Sequence, residues 1–385
     1  MTQPPQSGPW GAQPPQQPGN WQGYPGGQQG PGPQGQWNPQ QQWPSPAPAP
    51  QKKGPLKWVL GAIALIAVIA VTAVVAVSCA GGNGSNNGGD GGTPSSGSKS
   101  DIASANDTGP VSVITEDPSC APWLPVNNIV GDAEKNGWQQ RDVSLPASAW
   151  TPETQSVYKA VGDAMRTAAD QTVPLAKLTP HRVLRELYEQ YIAYTRLFVD
   201  HIPTYTEADN NILGTAATTA SVINSICTAI SSGSAATRGP LVAKPDQPRH
   251  PTTTNSVDNP QQFVRTPDSQ CNDWNRAAAE LTTNPVFMSW LKVDSNISAG
   301  NWSAEDKSQN DAVKPLLARA VDSYEQLARQ ASNSTIEDFG MLAVQYGRAF
   351  IQGLPTYIPA DINLYMVFLR SPGIIKYACQ AAEAK

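Results

Sequence analysis

The chain has 385 residues, a formal net charge of −5 and 15% charged residues. That balance gives no reason to expect nucleic-acid binding, and the length allows two or three domain-sized units. The 36 Pro and 31 Gly crowd into particular stretches, so the segments are best taken in turn.

Residues 1–55 read as a disordered, Pro/Gln/Gly-rich tail. The first fifty hold no Asp, Glu, Lys, Arg or His, and their aromatics are scattered, as with Trp10, Trp21, Trp37 and Trp43. So few aliphatic side chains cannot bury enough surface to offset the entropy of ordering. Such a tail serves as a solvated spacer, or for weak self-association and docking of a proline-binding partner.

Residues 56–79 read as a transmembrane helix. Trp58 to Cys79 carries no charge, and a bilayer core needs about 20 such residues. Lys52, Lys53 and Lys57 precede it, and no positive charge follows until Lys99. The positive-inside rule puts the N-terminus in the cytoplasm and the rest outside the plasma membrane. The long tail before the span favours an uncleaved signal-anchor over a cleaved signal. The alternative is a lipid-modified Cys79, since "AVSC" (Ala76–Cys79) is similar to a lipobox without its usual Leu.

Residues 80–117 read as a flexible Gly/Ser-rich tether. Two helical lobes follow, at 118–231 and 269–385, separated by a Pro-rich linker at 232–268. The lobes repeat one another. Shifted by 152 positions, Trp150 to Ile230 overlies Trp302 to Ala382 without a gap. Pro203-Thr204-Tyr205 falls on Pro355-Thr356-Tyr357, Arg196 on Arg348, Asp209 on Asp361 and Cys227 on Cys379. With one residue inserted upstream, Cys120 and Trp123 reach Cys271 and Trp274. The fold class is therefore all-α, as two homologous lobes.

Each lobe offers three long helices. Thr151, Pro152 and Glu153 match an N-cap, a first-turn proline and an early acid. Val157, Val161, Met165 and Ala168 make one face of that helix, and Val183, Leu187, Tyr191, Tyr194 and Phe198 one face of the next. A third helix, rich in Ala, Thr and Ser, follows the Pro-Thr-Tyr turn. In the second lobe Pro372 is expected to kink or break it. Four cysteines in an oxidising compartment allow three pairings. The repeat selects Cys120–Cys227 and Cys271–Cys379, because each lobe then carries its own bridge.

No catalytic constellation emerges. His181, His201 and His250 form no zinc motif, and nucleophile elbow, phosphate loop and dinucleotide fingerprint are all absent. No metal or cofactor is expected. The polar residues around the Pro-Thr-Tyr turns form the candidate cluster: Glu153, Arg196, Tyr205 and Asp209, with Glu305, Arg348, Tyr357 and Asp361. Antiparallel helices would bring these to one end of each bundle, as a structural Arg–carboxylate clasp or a pocket for a ligand headgroup or partner.

The tail "MTQPPQSGPWGAQPPQQPGNWQGYPGG" and the anchor resemble uncharacterised membrane proteins of mycobacteria and related actinobacteria. The resemblance implies a cell-envelope setting and no activity, and it carries over no site residues. The leading expectation is a non-enzymatic binding or scaffold protein of the envelope, accessory to an assembly or lipid-export machine. The alternatives are a carrier with a lipid or small ligand in each lobe, then an envelope hydrolase.

Overall fold

A computed structural model describes residues 101–252 and 256–384. The tail, the membrane segment, Cys79 and the tether up to residue 100 lie outside the described residues. α1 (Cys120–Glu134) follows a turn in which Asp117 Oδ1 accepts the Ser119 N–H at 2.8 Å. It buries Trp123, Val126 and Val130, three and four apart on one face. α2 (Pro152–Leu178) starts at an N-cap, Thr151, whose side chain accepts the Thr154 N–H. α3 (Arg182–His201), α4 (Asn210–Ser231) and a short α5 (Ser234–Arg238) complete the first half.

The second half contains α6 (Cys271–Thr282), α7 (Pro285–Trp290), α8 (Ala304–Gln330), α9 (Ser334–Gly353) and α10 (Ile362–Glu383). No strand occurs among the described residues. α10 runs unbroken through Pro372, just as α2 and α8 run through Pro174 and Pro315. The lost hydrogen bond costs roughly 3 kcal/mol, and the burial of Pro372 against neighbouring helices offsets it.

The three long helices of each half begin and end 152 residues apart. Local contacts repeat as well. Tyr205 donates to the Val143 carbonyl and Tyr357 to the Ser295 carbonyl, both at 2.7 Å. Trp150 Nε1 donates to Leu145 and Trp302 Nε1 to Ile297, both at 2.9 Å. The disulfides are Cys120–Cys227 and Cys271–Cys379, one per half.

The halves share one continuous apolar core. Their broadest contact is α4 against α10, made possible by small side chains. A Cβ at Gly214 would stand 2.8 Å from the Tyr377 ring, so only glycine admits that ring. α3 also meets α9, which explains why the first four turns of both helices are buried on nearly every side.

Two boundaries read from the sequence move. The tether reading extends to residue 117, but its last part is a packed arm, with Val111, Val113 and Ile114 buried. Four apolar residues within "PVSVI" give it surface to bury. The linker reading begins at 232, but Ser234–Arg238 is helical and buries Arg238. Further on, residues 257–264 form a second packed segment, here called the strap, with Val257 and Val264 buried.

Arm and strap cross over. The arm precedes the first half, yet the Ile114 N–H donates to Tyr346 on α9 at 3.2 Å. The strap precedes the second half, yet Tyr194 on α3 donates to the Val264 carbonyl at 3.3 Å. Tyr194 and Tyr346 are 152 apart, and the two peptide groups they touch are 151 apart. That is the one-residue shift already seen between the leading cysteines. Each half is therefore laced onto the other half's central helix in the same register.

Candidate functional site

Where α3 meets α9, an unusual amount of charge is buried. Arg182, at the start of α3, is 2% exposed. Its Nε and Nη2 donate to Asp338 Oδ2 and Oδ1 at 2.8 and 2.9 Å, a two-pronged pair across the halves. Its Nη1 donates to the Asp107 and Gly109 carbonyls of the arm, both at 2.9 Å. Asp107 Oδ2 also accepts the Arg182 N–H at 2.7 Å, so the arm caps α3.

Glu186 lies one turn on, 3.8 Å from Arg182. It is the 152-residue counterpart of Asp338, so matching acids meet where the matching helices cross. The Thr252 side chain faces the Glu186 carboxyl and pulls its pKa down in part, without a well-aligned hydrogen bond. Burial, and then the Asp338 carboxylate beside it, pushes the Glu186 carboxyl well above the usual carboxylate range. Arg185 and Glu189 form a second buried pair at 3.4 Å. The Arg185 guanidinium makes no hydrogen bond to a described residue, so ordered water is its expected partner. Burial pushes Glu189 up to about 7, against the pull of Arg185.

These acids give stability a definite pH dependence. A carboxyl whose folded pKa exceeds its unfolded value of 4.5 contributes stability that is complete below 4.5. That contribution is lost as pH rises through the folded value. The urea midpoint of the detergent-solubilised chain is therefore expected to fall between pH 5 and pH 8. Glu186→Gln should flatten the fall, and an unchanged slope in that variant would show that Glu186 does not contribute to it.

A cleft of about 270 Å³ opens beside this seam. The arm residues Asp107 to Ile114 line one wall, and Pro180, His181, Arg182 and Val183 the other. His181 Nε2 lies 3.1 Å from the Glu116 carbonyl, holding the arm at the rim.

The residues singled out in the sequence do not converge. Glu153 is exposed in the first turn of α2, its carboxyl held low by the backbone amide there. Arg196 pairs instead with Asp170 at 2.8 Å and donates to the Asp258 carbonyl at 2.7 Å. Arg348 pairs with Glu325, and Glu305 is exposed. The reason is helix length. Arg196 lies 14 residues into α3 from Arg182, whereas Glu153 lies 25 residues back from Leu178 in α2. The 11 extra residues at 1.5 Å each separate them by about 16 Å. Because the Arg196–Asp170 pair faces solvent, Arg196→Ala should shift the unfolding free energy by less than about 1 kcal/mol. A chemical-denaturation curve checks this.

Asp209 and Asp361 tie their own turns. Asp209 Oδ2 accepts the Thr206 N–H at 2.7 Å, and Asp361 Oδ2 the Ile358 N–H at 3.1 Å. Their side-chain partners differ. His201 Nδ1 lies 2.7 Å from Asp209. Asp361 receives Arg238 from the first half, through Nη2 at 2.8 Å and Nε at 3.2 Å. Arg238 also donates to the Thr356 hydroxyl and carbonyl, both at 2.7 Å. Gly353 occupies the position of His201, and a Cβ there would come within 3.0 Å of Arg238. One turn is thus closed from within and the other by its neighbour. Tyr205 and Tyr357 are packed within aromatic clusters. They stand among Trp150, Tyr158 and Phe198, and among Trp302 and Phe350.

Among the described residues, no group of three or more His, Cys, Asp or Glu is placed to hold a metal ion. One helical stretch, Glu207–Ser231, is long and apolar enough to cross a membrane, with a mean hydropathy of 1.3. Because 78% of its apolar window is buried inside the protein, it serves as a core helix.

Comparison with known proteins adds a family. Residues 102–383 match the family described as mycobacterial ESX-1 associated protein, a span that takes in arm, strap and both halves. An uncharacterised protein of Mycolicibacterium smegmatis (strain MKD8) is similar, with 40% identity over 346 residues, 90% of this chain and 91% of that one. No solved structure matches.

Proposed function

Since the chain belongs to the mycobacterial ESX-1 associated protein family, we propose that it is a membrane-anchored accessory of the ESX-1 system. In this reading it holds a secretion-system partner on the outer side of the membrane and performs no chemistry. The segment at 56–79 is the anchor, and the helical body is carried beyond it.

The observation that carries a holding role is the lacing of the two halves. Arm, strap and the Arg182–Asp338 and Arg238–Asp361 pairs all spend their polar groups on joining one half to the other. Such a body is rigid, and these two buried pairs bind across the halves rather than to a reactant. The cleft at the start of α3 is small and walled partly by Asp107 and Arg182. Pockets for drug-sized ligands run to about 300–1,000 Å³ and are mostly apolar, so that cleft does not suit a lipid chain.

The test is in-cell crosslinking and purification of the tagged full-length chain from mycobacteria. Enrichment of ESX-1 machinery is expected. A co-purifying lipid without a protein partner would overturn the reading in favour of a carrier. Protease accessibility of the 101–385 body in intact and opened cells checks its side of the membrane.

A further inference from the structure

The strap is bound more elaborately than a connecting segment requires. Gln190, in the middle of α3, is 5% exposed and gives its whole side-chain amide to the strap. Its Nε2 donates to the Gln261 carbonyl at 3.1 Å, and its Oε1 accepts the Phe263 N–H at 3.0 Å. One amide thus grips the backbone on either side of Gln262, and it does so through backbone atoms alone. Asn333 Nδ2 donates to the Phe263 carbonyl at 2.7 Å, Tyr194 to the Val264 carbonyl and Arg196 to the Asp258 carbonyl. The Phe263 ring then packs edge-on against Tyr194 and Phe339, with centroids 6.1 and 5.4 Å away.

The arm on α9 is the internal comparison. It lies in the matching place, and its bond to α9 is the one to Tyr346. Leu342 stands where α3 has Gln190. The arm's backbone is read by Arg182 at the Asp107 and Gly109 carbonyls, so the Gln190 clamp on the strap has no counterpart on α9. Backbone clamping plus a pocket for one aromatic anchor is how proteins recognise extended peptides, with affinity from the main chain and specificity from the anchor.

We infer that the groove across α3, formed by Gln190, Tyr194, Asn333 and Phe339, is a docking site for a short, aromatic-anchored peptide segment of a protein partner, held by its backbone. Residues 258–264 occupy it as a built-in competitor. The strap itself shows the chemistry that fits: a short run without helix or strand, polar amide side chains, then an aromatic residue. Because the strap is tethered, its high effective concentration weakens any incoming peptide until the partner adds contacts elsewhere. This deepens the holding role and rests on it for the existence of a partner. Binding of a synthetic peptide, by contrast, does not depend on any link to ESX-1.

The experiment uses the detergent-solubilised full-length chain and a fluorescent peptide with the sequence of residues 256–267. Phe263→Ala and the milder Phe263→Leu loosen the strap. The expected result is at least about tenfold tighter peptide binding to these variants than to the unchanged chain. Adding Gln190→Ala should abolish the gain, and a peptide with Phe replaced by Ala should not bind. Folded variants that show no gain, or a gain indifferent to Gln190→Ala, would overturn the inference. So would unfolding of both variants, because a strap that cannot loosen without unfolding the protein cannot yield to a partner. A negative result here combined with ESX-1 partners in the crosslinking experiment would leave the holding role intact and relocate its surface.

Discussion

Asp338→Ala is expected to lower the unfolding free energy by about 3–5 kcal/mol, the range seen when one member of a buried ion pair is removed. The magnitude comes from what is left behind. Arg182 is inaccessible to water, and two of its donors point at Asp338. Without that carboxylate its charge stays buried, with the arm carbonyls, Glu186 at 3.8 Å and the Asp107 carboxylate at 4.0 Å nearby. Replacing both partners with apolar residues of similar volume, as in Arg182→Met with Asp338→Leu, is expected to recover much of the loss. Urea unfolding of the full-length chain measures both. A loss below about 1 kcal/mol for Asp338→Ala would mean that the seam is wet and open.

Replacing Cys271 and Cys379 by serine is the second large effect, with an expected cost of about 2–5 kcal/mol. The bridge closes a sequence separation of 108, near the length at which chain entropy alone predicts about 4.7 kcal/mol. Both cysteines are also buried, so serine hydroxyls there would need new partners. Cys120 and Cys227 are only partly buried. The first bridge is therefore expected to open earlier under a graded reductant, read by non-reducing peptide mapping. Simultaneous opening would show that the halves loosen together.

Much of this architecture was legible in the sequence. The 152-residue recurrence of Trp, Cys and Pro placed three helices per half and selected the cysteine pairing. The packing between halves was not legible from periodicity. The stripe Val183, Leu187, Tyr191, Tyr194, Phe198 marks one face of α3 and implies a wet opposite face. The opposite face is buried against α9, with Arg182, Arg185, Glu186 and Glu189 on it. A signal was present: α9 has only Glu337, Asp338 and Arg348 as charged residues. A helix so poor in charge has no wet face, and its counterpart α3 is buried with it. The candidate cluster separates for a different reason, because antiparallel helices of unequal length do not bring Glu153 and Arg196 to one level. Arg196 and Arg348 recur because each pairs with the long helix before it, through Asp170 and Glu325.

The crossed arm and strap also set an order of events during synthesis. The contact between Ile114 and Tyr346 spans 232 residues, and that between Arg182 and Asp338 spans 156. The first stretch of the body to be made has its place on a helix that is made almost last. The first half therefore has no native mate while the second is still emerging, and it waits with its apolar lacing surface bare. Pairings this distant fold slowly and expose the incomplete chain to aggregation and proteolysis. Truncation after the first half should yield a fragment that is degraded rather than a small stable domain, and a chain stalled midway through its synthesis would share that fate.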